Sequence, residues 1–241
     1  MAKLPTIEQM KFRRYPPLKS GPPILWPTKR YFRRNEGTTD YATIPEVTLT
    51  GDFVIEFDIL TSSTVDFQTV FSNSSQPNEL GCDIQSNGSI RVFNFNATGD
   101  LQPTLVSSAG WNDGKLHKVL ISLVGGIPSI SIDGAVTTGS QWTTYNGAKV
   151  NTLQKRASLG REFSGILANL KIYDNGTLVR DYPLDDNSDT IRDKANGQNG
   201  TIINGNASDW GLFDKQANGD WKGNGLSVPP WDSVDQILVT A

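Results

Sequence analysis

Few side chains in this sequence could do chemistry. His117 is the one histidine and Cys82 the one cysteine among 241 residues, so any general base, serine–histidine pair or histidine-built metal site would have to use His117. His117 alternates in phase with Val119, Ile121 and Leu123, on a mostly apolar strand face. The reading that follows is a packed, hydrogen-bonded structural histidine. Cys82, between Gly81 and Asp83 with no histidine nearby in sequence, reads as inert. A single cysteine also excludes an intrachain disulfide and a cysteine-built zinc site.

The acidic run 185–193 (DDNSDTIRD) invites a calcium reading, because a hard cation wants several oxygens from one loop. Read as a helix-loop-helix calcium loop, it has oxygens at its first, third and fifth positions. The required Gly is Thr190, however, and the required closing Glu is Asn196. That motif fails; a looser calcium site on a loop stays open beside ordinary Asx turns, and no cofactor is assigned. Glycan binding needs aromatic platforms beside polar side chains. Trp142, Tyr145 and Asn146, in the loop 139–147, have that composition, as do Trp210, Trp221 and Trp231 among Asn, Asp and Gly. Each Trp could instead pack under its loop. No catalytic residue and no metal ligand is assigned.

Charge is segregated. Residues 1–34 hold nine basic side chains and one acid, a balance of +8, which leaves 13 basic and 24 acidic groups, −11, in the remainder. The basic segment also has six of the thirteen prolines, so it cannot be a continuous helix or a central strand. It reads as an extended arm with apolar anchors that need a surface to dock on. The expected partner-binding residues are Arg13, Arg14, Tyr15, Trp26, Lys29, Arg30, Tyr31, Phe32, Arg33 and Arg34. The docking surface can be the chain's own acidic body, a sister copy, or another protein of an assembly. Nucleic acid is the weakest of the options, since charge runs more often face protein.

From residue 41 the pattern has period two. Phe53, Ile55, Phe57 and Ile59 share one face of a strand, and Val54, Glu56 and Asp58 the other. Further strands are expected at 68–72, 80–85, 89–95, 104–107, 116–124, 128–133, 157–159, 165–173 and 177–182, with Asn-Gly, Asp-Gly and Gly-Gly turns between them. No stretch reaches the roughly 18 apolar residues of a membrane span. The opening Met1-Ala2-Lys3-Leu4-Pro5 lacks an apolar signal core.

The segment Tyr41-Ala42-Thr43-Ile44-Pro45, followed by 49–57 (LTGDFVIEF), resembles the opening of laminin-G-like, concanavalin A-like jelly rolls. Trp111-Asn112-Asp113-Gly114-Lys115-Leu116-His117-Lys118-Val119 is similar to that family's W-x-D-G-x-W-H-x-V motif, with Leu116 where the family usually has Trp. Residues 129–134 (SISIDG) and 163–173 (FSGILANLKIY) resemble its hairpin and closing strand. The resemblance covers 41–184. A weaker likeness of 181–213 to bacteriophage-encoded members implies a virion or tail-associated protein. Glucanases of the superfamily bear a Glu-x-Asp-x-x-Glu strand, whose outer carboxyls flank the sugar about 5 Å apart. Glu56 and Asp58 begin that pattern, but its third position is Thr61, so a solvent-facing polar strand face is the better reading.

These readings predict an all-β, antiparallel jelly-roll sandwich over 41–213. A basic, Pro-rich arm precedes it at 1–40, and a C-terminal extension with a short terminal strand follows at 214–241. The expected function is that of a non-enzymatic structural, decoration or adhesion protein of a phage particle. It would be made in the host cytoplasm without a signal peptide and form a homo-oligomer, with its arm docked to virion proteins or sister subunits. The alternative is a lectin-like module for host-surface glycans, with a glycoside hydrolase the weakest reading.

Overall fold

A computed structural model describes residues 30–34, 41–156, 159–185, 188–204, 210–215, 221–223 and 226–228; for 30–34 and the three segments beyond 209 it defines the course of the backbone. All regular structure among these residues is β. In chain order the strands are β1 (Arg30–Arg34), β2 (Tyr41–Leu49), β3 (Phe53–Leu60), β4 (Gln68–Ser72), β5 (Leu80–Ile84), β6 (Ile90–Asn94) and β7 (Leu105–Val106). They continue with β8 (Leu116–Val124), β9 (Ile127–Ile132), β10 (Ala135–Thr138), β11 (Ala148–Leu153), β12 (Lys155–Arg156), β13 (Arg161–Glu162) and β14 (Gly165–Asp174). The last are β15 (Thr177–Tyr182), β16 (Thr190–Ile191), β17 (Gly200–Ile203), β18 (Trp210–Lys215), β19 (Trp221–Gly223) and β20 (Leu226–Val228).

Two antiparallel sheets face each other. The first runs β10-β9-β8-β3-β14, and the far edge of β14 is shared by β15 and by β1, beyond which lie β18, β19 and β20. The second runs β16-β17-β2-β11-β4-β5-β6-β7. A small hairpin, β12–β13, stands apart. The alternation read from the sequence fixes which side of each strand meets the core. Phe53, Ile55, Phe57 and Ile59 of β3 are buried with Val119, Ile121 and Leu123 of β8; Leu80, Cys82 and Ile84 of β5 are buried with Ile90 and Val92 of β6. Phe57 and Phe71 join the two sheets edge to face, with ring centroids 5.8 Å apart.

Turn residues sit where their backbone requires them. Asp133-Gly134, between β9 and β10, has both residues at positive φ, the geometry of a tight hairpin. Strand β2 had no place among the strands expected above, because Pro45 lies in its middle. Between Val47↔Val150 and Thr43↔Thr152, four steps along β2 are matched by two along β11, so a bulge spans Pro45 and no ladder hydrogen bond is asked of it.

Part of the basic arm is a strand of the body's own sheet. Arg33 and Arg34 pair with Ile166 and Gly165, while Arg30, Tyr31 and Phe32 pair with Leu212, Gly211 and Trp210. The first sheet therefore crosses both boundaries drawn from sequence, at 40/41 and at 213/214. Arg13, Arg14, Tyr15, Trp26 and Lys29, the terminal strand expected at 237–240, and residues 157 and 158 of the strand expected at 157–159 lie outside the described residues; Leu159, its last residue, stands in a turn.

The Phe57–Phe71 contact generates a stability prediction. Phe57→Ala leaves a cavity at the centre of the sandwich and is expected to destabilise the fold by about 3–5 kcal/mol, read as a shift of the urea midpoint. A shift below about 1 kcal/mol would mean that the sheets close on each other elsewhere.

Candidate functional site

The face of the second sheet turned away from the core carries an ordered array of arginines and phenylalanines. On β6, Arg91 and Phe93 alternate outward, with Phe95 just beyond the strand, opposite Asp83, Gly81 and Glu79 respectively. Phe67 precedes β4. Arg156 and Arg161 face each other across the β12–β13 hairpin. The hairpin is tied to the sheet by the Ser72 hydroxyl, which donates to the Lys155 carbonyl at 2.9 Å, and by the Gln154 amide, which donates to the Val70 carbonyl at 2.7 Å.

Cations and rings alternate in the order Arg161, Phe67, Arg91, Phe93, Arg156, Phe95. Successive guanidinium-to-centroid distances are 4.4, 4.5, 5.0, 4.7 and 5.7 Å. Each such contact is worth about 0.5–2 kcal/mol, more where water is excluded. Two carboxylates lie beneath. Glu79, 1% exposed, accepts bidentate hydrogen bonds from Arg156 Nε and Nη2, both at 2.7 Å. Burial pushes the Glu79 carboxyl above its usual range, and the Arg156 hydrogen bonds and charge pull it back. Asp83, with no exposed surface, accepts from the Thr69 hydroxyl at 2.6 Å and from Arg91, and has Arg161 at 3.8 Å.

Two backbone features make the array fit. A Cβ on residue 81 would lie 2.1 Å from Phe93 Cζ, so only glycine lets that ring lie flat on β5. Phe67 holds φ at +57°, a left-handed conformation that a bulky residue rarely adopts and that costs on the order of 1–2 kcal/mol.

The residues expected to contact glycan sit elsewhere. Trp142 is 2% exposed and donates its indole N–H to the Pro103 carbonyl at 2.8 Å. Tyr145 packs against the core and donates its hydroxyl to the Leu49 carbonyl at 3.0 Å. The two rings lie 6.0 Å apart. The stacking platform expected at this pair is thus corrected: Trp142 has no open face for a sugar, because the loop that carries it closes one end of the core. Asn146 is exposed, and its side-chain oxygen accepts the Ala97 amide at 3.1 Å.

The groups considered for catalysis are likewise engaged. Glu56 lies 3.4 Å from the Lys171 ammonium and 3.8 Å from that of Lys118. Asp58 is buried and accepts from the Asn169 amide at 2.6 Å; burial raises its carboxyl, which Asn169 and Lys118 pull back. At the third position of the glucanase-like pattern, the Thr61 hydroxyl donates to the Ser164 carbonyl at 2.6 Å. Cys82 is fully buried, and that burial, together with the neighbouring Asp83 charge, pushes its thiol well up. In the acidic run, Asp193 accepts backbone N–H groups from Asp181, Ala195 and Gln198, which is Asx-turn chemistry. Among the described residues no three His, Cys, Asp or Glu side chains gather as metal ligands.

His117 is packed as its strand phase implied, with two partners that the sequence left unnamed. Its Nδ1 lies 2.7 Å from Asp133 Oδ2, its Nε2 lies 3.0 Å from Asp113 Oδ1, and the Trp111 ring meets it edge-on at 5.0 Å. Both ring nitrogens face acceptor-only carboxylates, so neither is open to a substrate proton. Burial alone would raise the Asp113 carboxyl. Hydrogen bonds from the Lys115 side chain and backbone and from His117 outweigh that effect and hold it at about 2. Leu116, at the family's usual Trp position, is half-buried opposite Leu60.

A sandwich of this build, with its polar array on the face away from the core, is of the lectin type. Residues 36–180 match the model of the concanavalin A-like lectin/glucanases superfamily, and the chain belongs to that superfamily. A search of curated proteins returns no match. Among solved structures, it is similar to a candidate carbohydrate binding protein from Bacteroides ovatus, with a TM-score of 0.57 and 15% identity over 84% of this chain and 61% of that one. It is also similar to domains LG4-5 of the mouse laminin alpha1 chain, with a TM-score of 0.50 and 17% identity over 66% of this chain and 44% of that one. The chain spans less than two thirds of either structure, and at such identities the likeness is one of fold.

Two predictions come from this geometry. Gly81→Ala forces the Phe93 ring off β5 and out of register with Arg91 and Arg156; a loss of about 1–3 kcal/mol in urea unfolding is expected, and an unchanged midpoint would show that the ring yields freely. Asp113, whose carboxyl ordinarily titrates near 3.8, titrates near 2 in the fold, so it stabilises the fold above about pH 4 and loses that contribution as the pH falls toward 2. The melting temperature of the native chain, measured against Asp113→Asn, should decline over that window, whereas parallel curves would remove the clamp.

Proposed function

We propose that this chain is a non-enzymatic adhesion or decoration protein. Its lectin-type sandwich is turned outward for recognition, and the basic segment ahead of it attaches it to a larger assembly. The observation that carries the reading is the outer face of the second sheet. Three arginines and three phenylalanines are gathered there around two carboxylates, on a fold in which His117, Asp58 and Glu56 are engaged in structural contacts. Guanidinium edges and aromatic rings are the groups with which proteins hold polar ligands without transforming them.

The charge split supports attachment. A segment of +8 ahead of a body of −11 is drawn to the acidic surface of a sister copy or of a virion protein, with the polarity that steers docking. Strand β1 supports it as well, since it anchors the end of that segment in the first sheet. The likeness of 181–213 to phage-encoded relatives makes a bacteriophage particle the assembly in this reading. Host-surface glycans are then the ligands, as the carbohydrate-binding description of the Bacteroides ovatus neighbour suggests.

Two measurements on the purified protein test this reading. Deleting residues 1–29, which spares β1, is expected to convert an oligomer into a monomer by light scattering. A glycan array is expected to show binding that free sugar competes away, with no release of reducing ends. A monomeric full chain would remove the attachment role, a blank array the recognition role, and turnover of any glycan the non-enzymatic one.

A further inference from the structure

The array on the second sheet has an imbalance of charge. Arg156 is matched by Glu79 through two hydrogen bonds. Arg91 and Arg161 share the single carboxylate of Asp83. Asp83 already accepts the Thr69 hydroxyl and Arg91, and Arg161 stands at 3.8 Å, beyond hydrogen-bond reach. The Arg161 guanidinium comes no nearer than 3.8 Å to Asp83, and Arg91 Nε is a buried donor with no acceptor. A buried guanidinium N–H without an acceptor is costly, and two guanidiniums over one carboxylate leave one positive charge uncompensated. Both side chains reach solvent, with 21% and 30% of their surface exposed. Both stack on the ring of Phe67, the residue held at φ +57°. An outlier of this kind in a bulky residue is the sort of strain that persists where a site needs it.

We propose that Arg91 and Arg161, set on the Phe67 ring, form a seat for one carboxylate of an acidic saccharide. This rests on the recognition role proposed above and names its ligand class. A guanidinium pair offers a planar fork of donors that matches a carboxylate, and the seat's single surplus charge matches one anion. The body's balance of −11 repels densely charged polyanions and acidic peptides. A lone carboxylate on an otherwise neutral, hydroxyl-rich chain is therefore the anion that the surface admits.

The test is calorimetry on the full chain at low ionic strength, with sialyllactose as the singly charged probe and lactose as its neutral counterpart. Sialyllactose is expected to bind at least about tenfold more tightly than lactose, the effect of one charged hydrogen-bonded pair, and to weaken as salt is added. Arg161→Gln, which keeps the Arg91–Asp83 pair, is expected to lose that advantage while remaining folded, with its melting temperature lowered by no more than a few degrees. Arg91→Lys, which keeps the charge but not the fork, is expected to lose it too, and decides the matter if the first variant does not fold. Equal binding of the two sugars, full affinity in both variants, or tighter binding of a peptide with a single Glu would overturn the seat. Neutral glycans bound on the array without acidic preference would sink this inference alone and leave recognition standing; a blank array would sink both.

Discussion

Two carboxylates with almost no contact with water hold this molecule's polar face together. Asp83 stands on β5 and Glu79 just before it, on the side away from the core, and both are as buried as core side chains. A charge in that position is tolerable only if it is paired and hydrogen-bonded, because the loss of hydration costs several kcal/mol per ion. Arg156, Arg91 and Thr69 supply those bonds, and the guanidiniums are in turn fixed by rings on either side in sequence along the array. The β12–β13 hairpin is held over the sheet by this arrangement, since its Arg156 is the partner that Glu79 requires. Gly81 belongs to the same constraint: without its missing side chain there is no floor for Phe93, and without Phe93 the two arginines that stack on it lose their spacing.

The other end of the first sheet handles charge differently. Trp111, Asp113, Lys115, His117 and Asp133 close the start of β8 onto the β9–β10 turn, with the histidine as the bridge between two acids. In this cluster the polar groups face one another and complete each other's bonding. On the outer face of the second sheet the donors outnumber the acceptors. That contrast is the physical ground of the proposal that this face recognises a ligand.

The place of β1 ties the end of the basic segment to the sandwich. On one edge of β14, β1 pairs at residues 165 and 166 while β15 takes residues 170 to 174. The two strands thus occupy successive stretches of the same edge.

Period-two alternation determined β3 to β9, β14 and β15, because a half-buried strand writes its burial into every second residue; β4, β8 and β15 lie where the pattern placed them, while β10, β11 and β17 were not read from it. Strand β2 escaped it because Pro45 masks the alternation that its bulge preserves. The Trp-to-Val motif of 111–119 and its hairpin were likewise legible as parts of a lectin-type sandwich, since they describe local geometry. Of the candidate site, only the outward phase of Arg91, Phe93 and Phe95 could be read along the chain. That Phe67, Arg156 and Arg161 complete the array, and that Trp142 and Tyr145 close the core instead of greeting a sugar, was decided by tertiary structure. Contacts between residues up to 96 positions apart depend on how loops cross a sheet, and residue type alone does not say whether a ring or a cation ends up beneath a loop or on top of it.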